Sequence, residues 1–123
     1  NLGSNDILRG VADLIQTRYK FEINQKVFLN FYRDGSDHCP FHADKYEADI
    51  FTLSLGASRD FQIKRNGKGN RSETFVLESG DLNFMSRQMQ KTHKHSIPKR
   101  KSAPSQDGFG TERISILFFA RPR

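Results

Sequence analysis

The run Ile50-Phe51-Thr52-Leu53-Ser54-Leu55-Gly56, followed by Phe61-Gln62-Ile63-Lys64, Asn66-Gly67-Lys68-Gly69 and Thr74-Phe75-Val76-Leu77, decides the fold class. The first run is a short apolar strand stopped by glycine. The second alternates apolar and polar residues, as a half-buried strand does. Asn-Gly tolerates the positive φ of a tight hairpin, so the third run is a turn and the fourth its returning strand. Ser79-Gly80-Asp81 turns again into Leu82-Asn83-Phe84-Met85. Upstream, Lys26-Val27-Phe28-Leu29-Asn30-Phe31-Tyr32 is a strand, and Arg33-Asp34-Gly35-Ser36 is turn chemistry. Downstream, Ile114-Ser115-Ile116-Leu117-Phe118-Phe119 is the last strand, after a basic and then Ser/Pro/Gly-rich loop over 98–110 that is expected to be mobile. Residues 5–19 differ. Ile7, Leu8, Val11, Leu14, Ile15 and Tyr19 recur at helical spacing, with Ser4 or Asn5 as cap and Asp6 in the first turn. One helix followed by many short strands predicts a mainly β sandwich or barrel.

The 123 residues make a single domain, 1–123. Lys+Arg is 20 and Asp+Glu 14, a net charge of +6, which suits an anionic partner, most simply nucleic acid, and serves solubility equally well. The 11 Phe exclude a disordered chain. A domain this short buries only about two-thirds of its unfolded surface, which leaves a bound metal or ligand room to add stability. The single Cys excludes an intrachain disulfide and a Cys-rich zinc site, and it suits an intracellular, reducing compartment. No apolar run approaches the roughly 18 residues of a membrane span, and no signal-peptide pattern is present. The opening Asn1-Leu2-Gly3-Ser4 reads as a piece of a longer chain. A monomer is expected.

The histidines are His38, His42, His93 and His95. In His42-Ala43-Asp44 an imidazole and a carboxylate two apart on a strand would share a face. With a distant His they would make a 2-His-1-carboxylate facial triad, the donor set of non-haem Fe(II) sites. Alone, the pair reads equally as a surface His beside a solvated Asp. Arg113 sits at the head of an apolar strand. Buried, it needs a partner, and a dicarboxylate would supply one. Otherwise it begins the strand in solvent or pairs with Glu112.

Taken together the chain resembles the AlkB family of Fe(II)- and 2-oxoglutarate-dependent dioxygenases, from Phe21 to about Phe118. The likeness rests on Phe28–His38, on His42-Ala43-Asp44, on Leu53-Ser54-Leu55-Gly56 with Arg59-Asp60-Phe61, on Ser79-Gly80-Asp81-Leu82 with Met85, on His95-Ser96-Ile97-Pro98, and on Arg113-Ile114-Ser115. It implies a double-stranded β-helix, or jelly roll, with the N-terminal helix packed on it. It implies His42, Asp44 and His95 as iron ligands; His93 is the rival third ligand, but the family's Ser-Ile-Pro follows His95. It implies Asn30, Tyr32, Arg113 and Ser115 on 2-oxoglutarate, with O2 as co-reactant and ascorbate as reductant.

The chain departs from the family pattern in three places. The second family arginine, six after Arg113, is Phe119, and Arg121 is the candidate substitute. Tyr46 stands where an acid is usual, which reads as a coupled exchange of an ion pair for a Tyr46–Phe119 ring contact. Only 41 residues precede His42, so the nucleotide-gripping lid is shortened or missing. Tyr46, Phe119 and Arg59 are the expected substrate-pocket residues. Lys64, Arg65, Lys68, Arg71, Lys99, Arg100 and Lys101 are the expected phosphate contacts. The implied function is oxidative demethylation of N-alkylated nucleobases in DNA or RNA, on a single-stranded or flipped base. The alternatives are a dioxygenase acting on a protein or small molecule, and a non-catalytic binding module on the same fold. Cys39, three before His42, is read as a small packing residue near a redox-active metal.

Overall fold

In the computed structural model, which describes residues 2–3, 5–45, 47–101 and 110–123, the chain begins with α1 (Asp6–Tyr19). Eight strands follow: β1 (Phe21–Tyr32), β2 (Cys39–His42), β3 (Asp49–Gly56), β4 (Arg59–Arg65), β5 (Ser72–Leu77), β6 (Leu82–Met85), β7 (His93–Ile97) and β8 (Arg113–Pro122), with a one-turn helix α2 (Met89–Thr92) before β7. They form two antiparallel four-stranded sheets, ordered β1-β8-β3-β6 and β2-β7-β4-β5. The strands cross between sheets as a jelly roll does, which is the predicted fold.

The local chemistry explains the elements. The Asn5 side chain accepts from the Leu8 N–H at 2.9 Å and so caps α1; Lys20 closes it in the left-handed conformation. Leu2, Ala12 and Ile15 pack on Ile23, Phe51, Ile116, Phe118 and Ala120, the outer face of the first sheet. Its inner face joins Tyr32, Ile50, Met85, Leu117 and Phe119 to Phe61, Leu77 and Ile97 of the rest of the fold. From Ile116 to Ala120, β8 is apolar on both faces because one meets the helix and the other meets the second sheet. No helix among the described residues is long and apolar enough to cross a membrane.

Three elements carry no periodic signal in the sequence: β2, α2 and β7. Each is five residues or fewer: β2 is Cys-Pro-Phe-His, α2 is Met-Gln-Lys-Thr and β7 is His-Lys-His-Ser-Ile. β1 starts earlier than the apolar run suggests, because a register shift between Ile23 and Val27 lets the strand bend and continue. Residues 102–109 of the expected mobile loop, and Ser4, lie outside the described residues. The part of that loop that is described is tethered: the Arg100 N–H donates to Gly35 O at 2.8 Å, and its Nη1 donates to Ser58 O. A Cβ on Gly35 would come within 2.1 Å of Arg100 O, so only glycine permits this contact.

Candidate active site

β2 and β7 pair with His42 opposite His95, and the two rings lie 4.3 Å apart. Asp44 reaches them from the segment after β2. His42 Nε2 is 3.3 Å from Asp44 Oδ1, and His95 Nε2 is 3.4 Å from Asp44 Oδ2. The donor atoms of all three lie within 4.8 Å of one another, the one such cluster among the described residues. The expectation that His42 and Asp44 converge by sharing a strand is corrected here. β2 ends at His42, and Asp44 is held from outside any strand.

What holds it is Gln90, on α2 and buried. The Asp44 N–H donates to Gln90 Oε1 at 2.9 Å, and Gln90 Nε2 donates to Asp44 Oδ2 at 3.3 Å. Nothing in the sequence marked Gln90, because its partner is 46 residues away. His42 Nδ1 donates to Pro40 O at 2.7 Å, which leaves Nε2 turned toward Asp44 and free to take a metal. Hydrogen bonding to Asp44 first, then Cys39, raises the His42 pKa to about 10. Burial would push the Asp44 carboxyl up, but hydrogen bonds from His42 and His95 outweigh it and hold the group well below the usual range. Two imidazoles and a carboxylate on one side, with open space on the other, can hold a six-coordinate divalent metal.

That open space is a cavity of about 440 Å³, its mouth included, bounded by the triad and the inner face of the first sheet. Arg113 lies in it, 2% exposed. Its Nη2 donates to Ser54 Oγ at 2.9 Å, and its guanidinium sits 5.1 Å from the Tyr32 ring centre. Its Nε and Nη1 are buried with no partner, and no acid pairs with it among the described residues. Burial lowers its pKa. The reading of Arg113 as a solvent-facing residue paired with Glu112 is therefore excluded. A buried guanidinium with two unpaired nitrogens beside a His/Asp/His cluster fits a dicarboxylate that also reaches the metal. Asn30, Ser115 and Ser54 stand side by side in one row beside it, and Tyr32 lines the same cavity.

The other expected residues divide. Arg59, 2% exposed, lies behind Tyr32 rather than in the cavity, and donates to Asp34 O, Asp37 O and Pro98 O at 3.2, 2.8 and 2.8 Å. It is a tether of the wall. Arg121 lies beyond the cavity on the exposed end of β8, with Nε 2.9 Å from Glu22 Oε2, so it does not reach the Arg113 region. Phe119 is core and meets Phe28 edge-to-face at 5.3 Å. Tyr46 lies outside the described residues, so its pairing with Phe119 does too. His93 bonds Thr92 Oγ1 and stands outside the cluster. Cys39 lines the cavity, its Sγ 3.4 Å from His42 Nδ1. Lys99 borders an open groove with Phe31, Tyr32 and His38 that adjoins the cavity. Lys64 sits over the Phe41 ring at 4.5 Å, and Arg65, Lys68, Arg71 and Lys101 are exposed. The Arg100 guanidinium holds one backbone carbonyl, Ser58 O, and the residue is otherwise exposed.

The sequence pattern of the 2OG-Fe(II) oxygenase superfamily matches residues 4–118. The solved structure of OsALKBH1 superimposes with a TM-score of 0.61 at 16% identity, over 93% of this chain and 61% of that one, a likeness of fold. Among curated proteins, an RNA-directed RNA polymerase of Lolium latent virus is 44% identical over 61 residues, 46% of this chain and 4% of that protein. The chain thus spans a small fraction of that polymerase and under two-thirds of OsALKBH1.

Proposed function

The chain belongs to the 2OG-Fe(II) oxygenase superfamily, whose reaction needs Fe(II), 2-oxoglutarate and O2, and from that premise we propose that it oxidatively demethylates N-methylated bases in RNA. In this reading His42, Asp44 and His95 hold the iron, while Arg113, Ser115, Asn30 and Tyr32 hold 2-oxoglutarate. The observation that carries it is the buried Arg113, with no acid beside it and two nitrogens unsatisfied among the described residues, in one cavity with the triad. The bound iron and 2-oxoglutarate supply one chemistry: dioxygen and the 2-oxo acid become succinate and carbon dioxide while one oxygen atom enters a methyl C–H bond. The hydroxymethyl group on nitrogen then leaves as formaldehyde, and the base regains its N–H.

The chain's own residues bind, orient and shield. Gln90 grips Asp44 by backbone and side chain, so the carboxylate keeps one orientation between the two imidazoles. The Pro40 carbonyl fixes the His42 tautomer. Phe119, Leu117 and Met85, all buried, back the inner end of the cavity. A base in a duplex cannot enter such a cavity, so it arrives single-stranded or flipped. The groove beside Lys99 and the net charge of +6 favour a polyanion at the mouth. RNA is favoured over DNA because the curated relative is a polymerase that copies RNA.

The test is turnover with Fe(II), 2-oxoglutarate and ascorbate, following succinate and formaldehyde. Methylated RNA oligonucleotides should raise both, more than methylated DNA does, and His42→Ala should abolish both. Succinate formation that no methylated oligonucleotide stimulates would overturn the nucleic-acid reading and point to a protein or small-molecule substrate.

A further inference from the structure

On the inner face of the first sheet, side chains stand in rows across the strands. Tyr32, Arg113 and Gly56 form the first; Asn30, Ser115 and Ser54 the second; Phe28, Leu117, Thr52 and Asn83 the third; Phe119, Ile50 and Met85 the fourth. The fourth is wholly apolar. The third is apolar on β1 and β8 but polar on β3 and β6, where Thr52 and Asn83 face each other. Both line the cavity, and Thr52 Oγ1 and Asn83 Oδ1 are buried with no hydrogen-bond partner among the described residues. Two orphaned polar atoms side by side are costly, and apolar residues of similar size would avoid the cost. They sit one row beyond Ser54, which the Arg113 guanidinium already touches. One row is about 7 Å along a strand, within reach of a five-carbon dicarboxylate lying against Arg113.

We propose that Thr52 and Asn83 form a second anchoring point for 2-oxoglutarate, completing the hold that Arg113 begins. The inference rests on the superfamily's use of 2-oxoglutarate. The Thr52 hydroxyl donates to a carboxylate oxygen. Asn83 completes the contact by its amide N–H or, in the other amide orientation, by a water that donates to both Oδ1 and the carboxylate. The pair acts on cosubstrate affinity and on the choice among 2-oxo acids of different length, and it leaves metal binding alone.

The experiment uses the full chain loaded with Mn(II), which occupies an iron site without turnover. Calorimetry and thermal melting read 2-oxoglutarate binding for the wild type, Thr52→Val, Thr52→Ser and Asn83→Leu. Thr52→Val and Asn83→Leu should each raise the 2-oxoglutarate Kd about tenfold, while Thr52→Ser stays near wild type. The Mn(II) Kd without 2-oxoglutarate should be unchanged in all. Melting of the metal-only protein should stay level or rise in Thr52→Val, because an orphaned hydroxyl has been removed. A Kd within about twofold of wild type in both apolar variants would overturn the proposal. So would a lowered metal-only melting point with the 2-oxoglutarate shift intact, the mark of a structural pair. A wild-type protein that binds no 2-oxoglutarate would instead sink the cosubstrate reading itself.

Discussion

Arg113 and Gln90 show how much rests on single side chains. Arg113 is a buried cation whose partners are Ser54 and Tyr32, through both its hydroxyl and its ring. Arg113→Met should raise the KM for 2-oxoglutarate by about 100-fold, since two charge-assisted hydrogen bonds are lost. The unliganded variant should melt no lower than wild type, because an apolar side chain replaces an uncompensated charge. Gln90→Leu should weaken Mn(II) binding by about tenfold, read by titration, by freeing the Asp44 carboxylate to turn. His42 sets a pH dependence. Its folded pKa of about 10 exceeds the ordinary 6.5, so its stabilisation is complete below 6.5 and is lost as pH rises through about 10. Asp44 is depressed, so its contribution is present above the ordinary 3.8 and lost as pH falls through its folded value. The metal-free protein should therefore melt highest between about pH 4 and 6.5 and lower towards pH 10, and His42→Asn should flatten the alkaline limb. Metal uptake by His42 should release a proton at any pH below about 10 and cease to do so above it.

At the scale of elements, short and polar segments position the chemistry while long apolar ones support them. β2, α2 and β7 carry His42, Gln90 and His95, and each is recognisable only by what it pairs with. The turn from β3 to β4 is equally constrained. Gly56 has φ +96°, and a Cβ there would lie 2.3 Å from Glu112 O. That carbonyl accepts from the Ala57 N–H at 2.8 Å, which binds the turn to the head of β8, next to Arg113. Gly56→Ala should destabilise the protein by about 2–3 kcal/mol in urea unfolding, from the positive φ and the displaced strand end together. Because Arg113 starts β8, the same variant should also weaken 2-oxoglutarate binding. An unchanged binding curve in a destabilised variant would show that the strand head holds its position without the turn.

At the scale of the molecule, the +6 charge and the groove beside the cavity would make association with the proposed RNA substrate a matter of counterions. Log affinity for a single-stranded oligonucleotide should fall linearly with log salt, with a slope of about −0.7 per phosphate contacted. Lys99→Ala should reduce that slope by about one contact, while Lys64→Ala, whose ammonium is drawn over Phe41, should change it less. Fluorescence anisotropy across a salt series measures both, and a salt-insensitive affinity would argue against a polyanionic partner. Alternation, Asn-Gly turns and a capped amphipathic stretch were enough to read the jelly roll's long strands and its helix. The reason is that these features depend on neighbours a few residues apart. The order of His42, Asp44, His95 and Arg113 along the chain was legible too, as a resemblance in spacing. What the tertiary structure alone decided lies in contacts across tens of residues. Asp44 is aimed by Gln90, Arg59 tethers three carbonyls instead of facing a substrate, Arg121 turns outward to Glu22, and Thr52 and Asn83 are left as polar atoms inside the cavity. No local pattern encodes these, because a side chain's partners are set by which strands the fold brings together and not by its place along the chain.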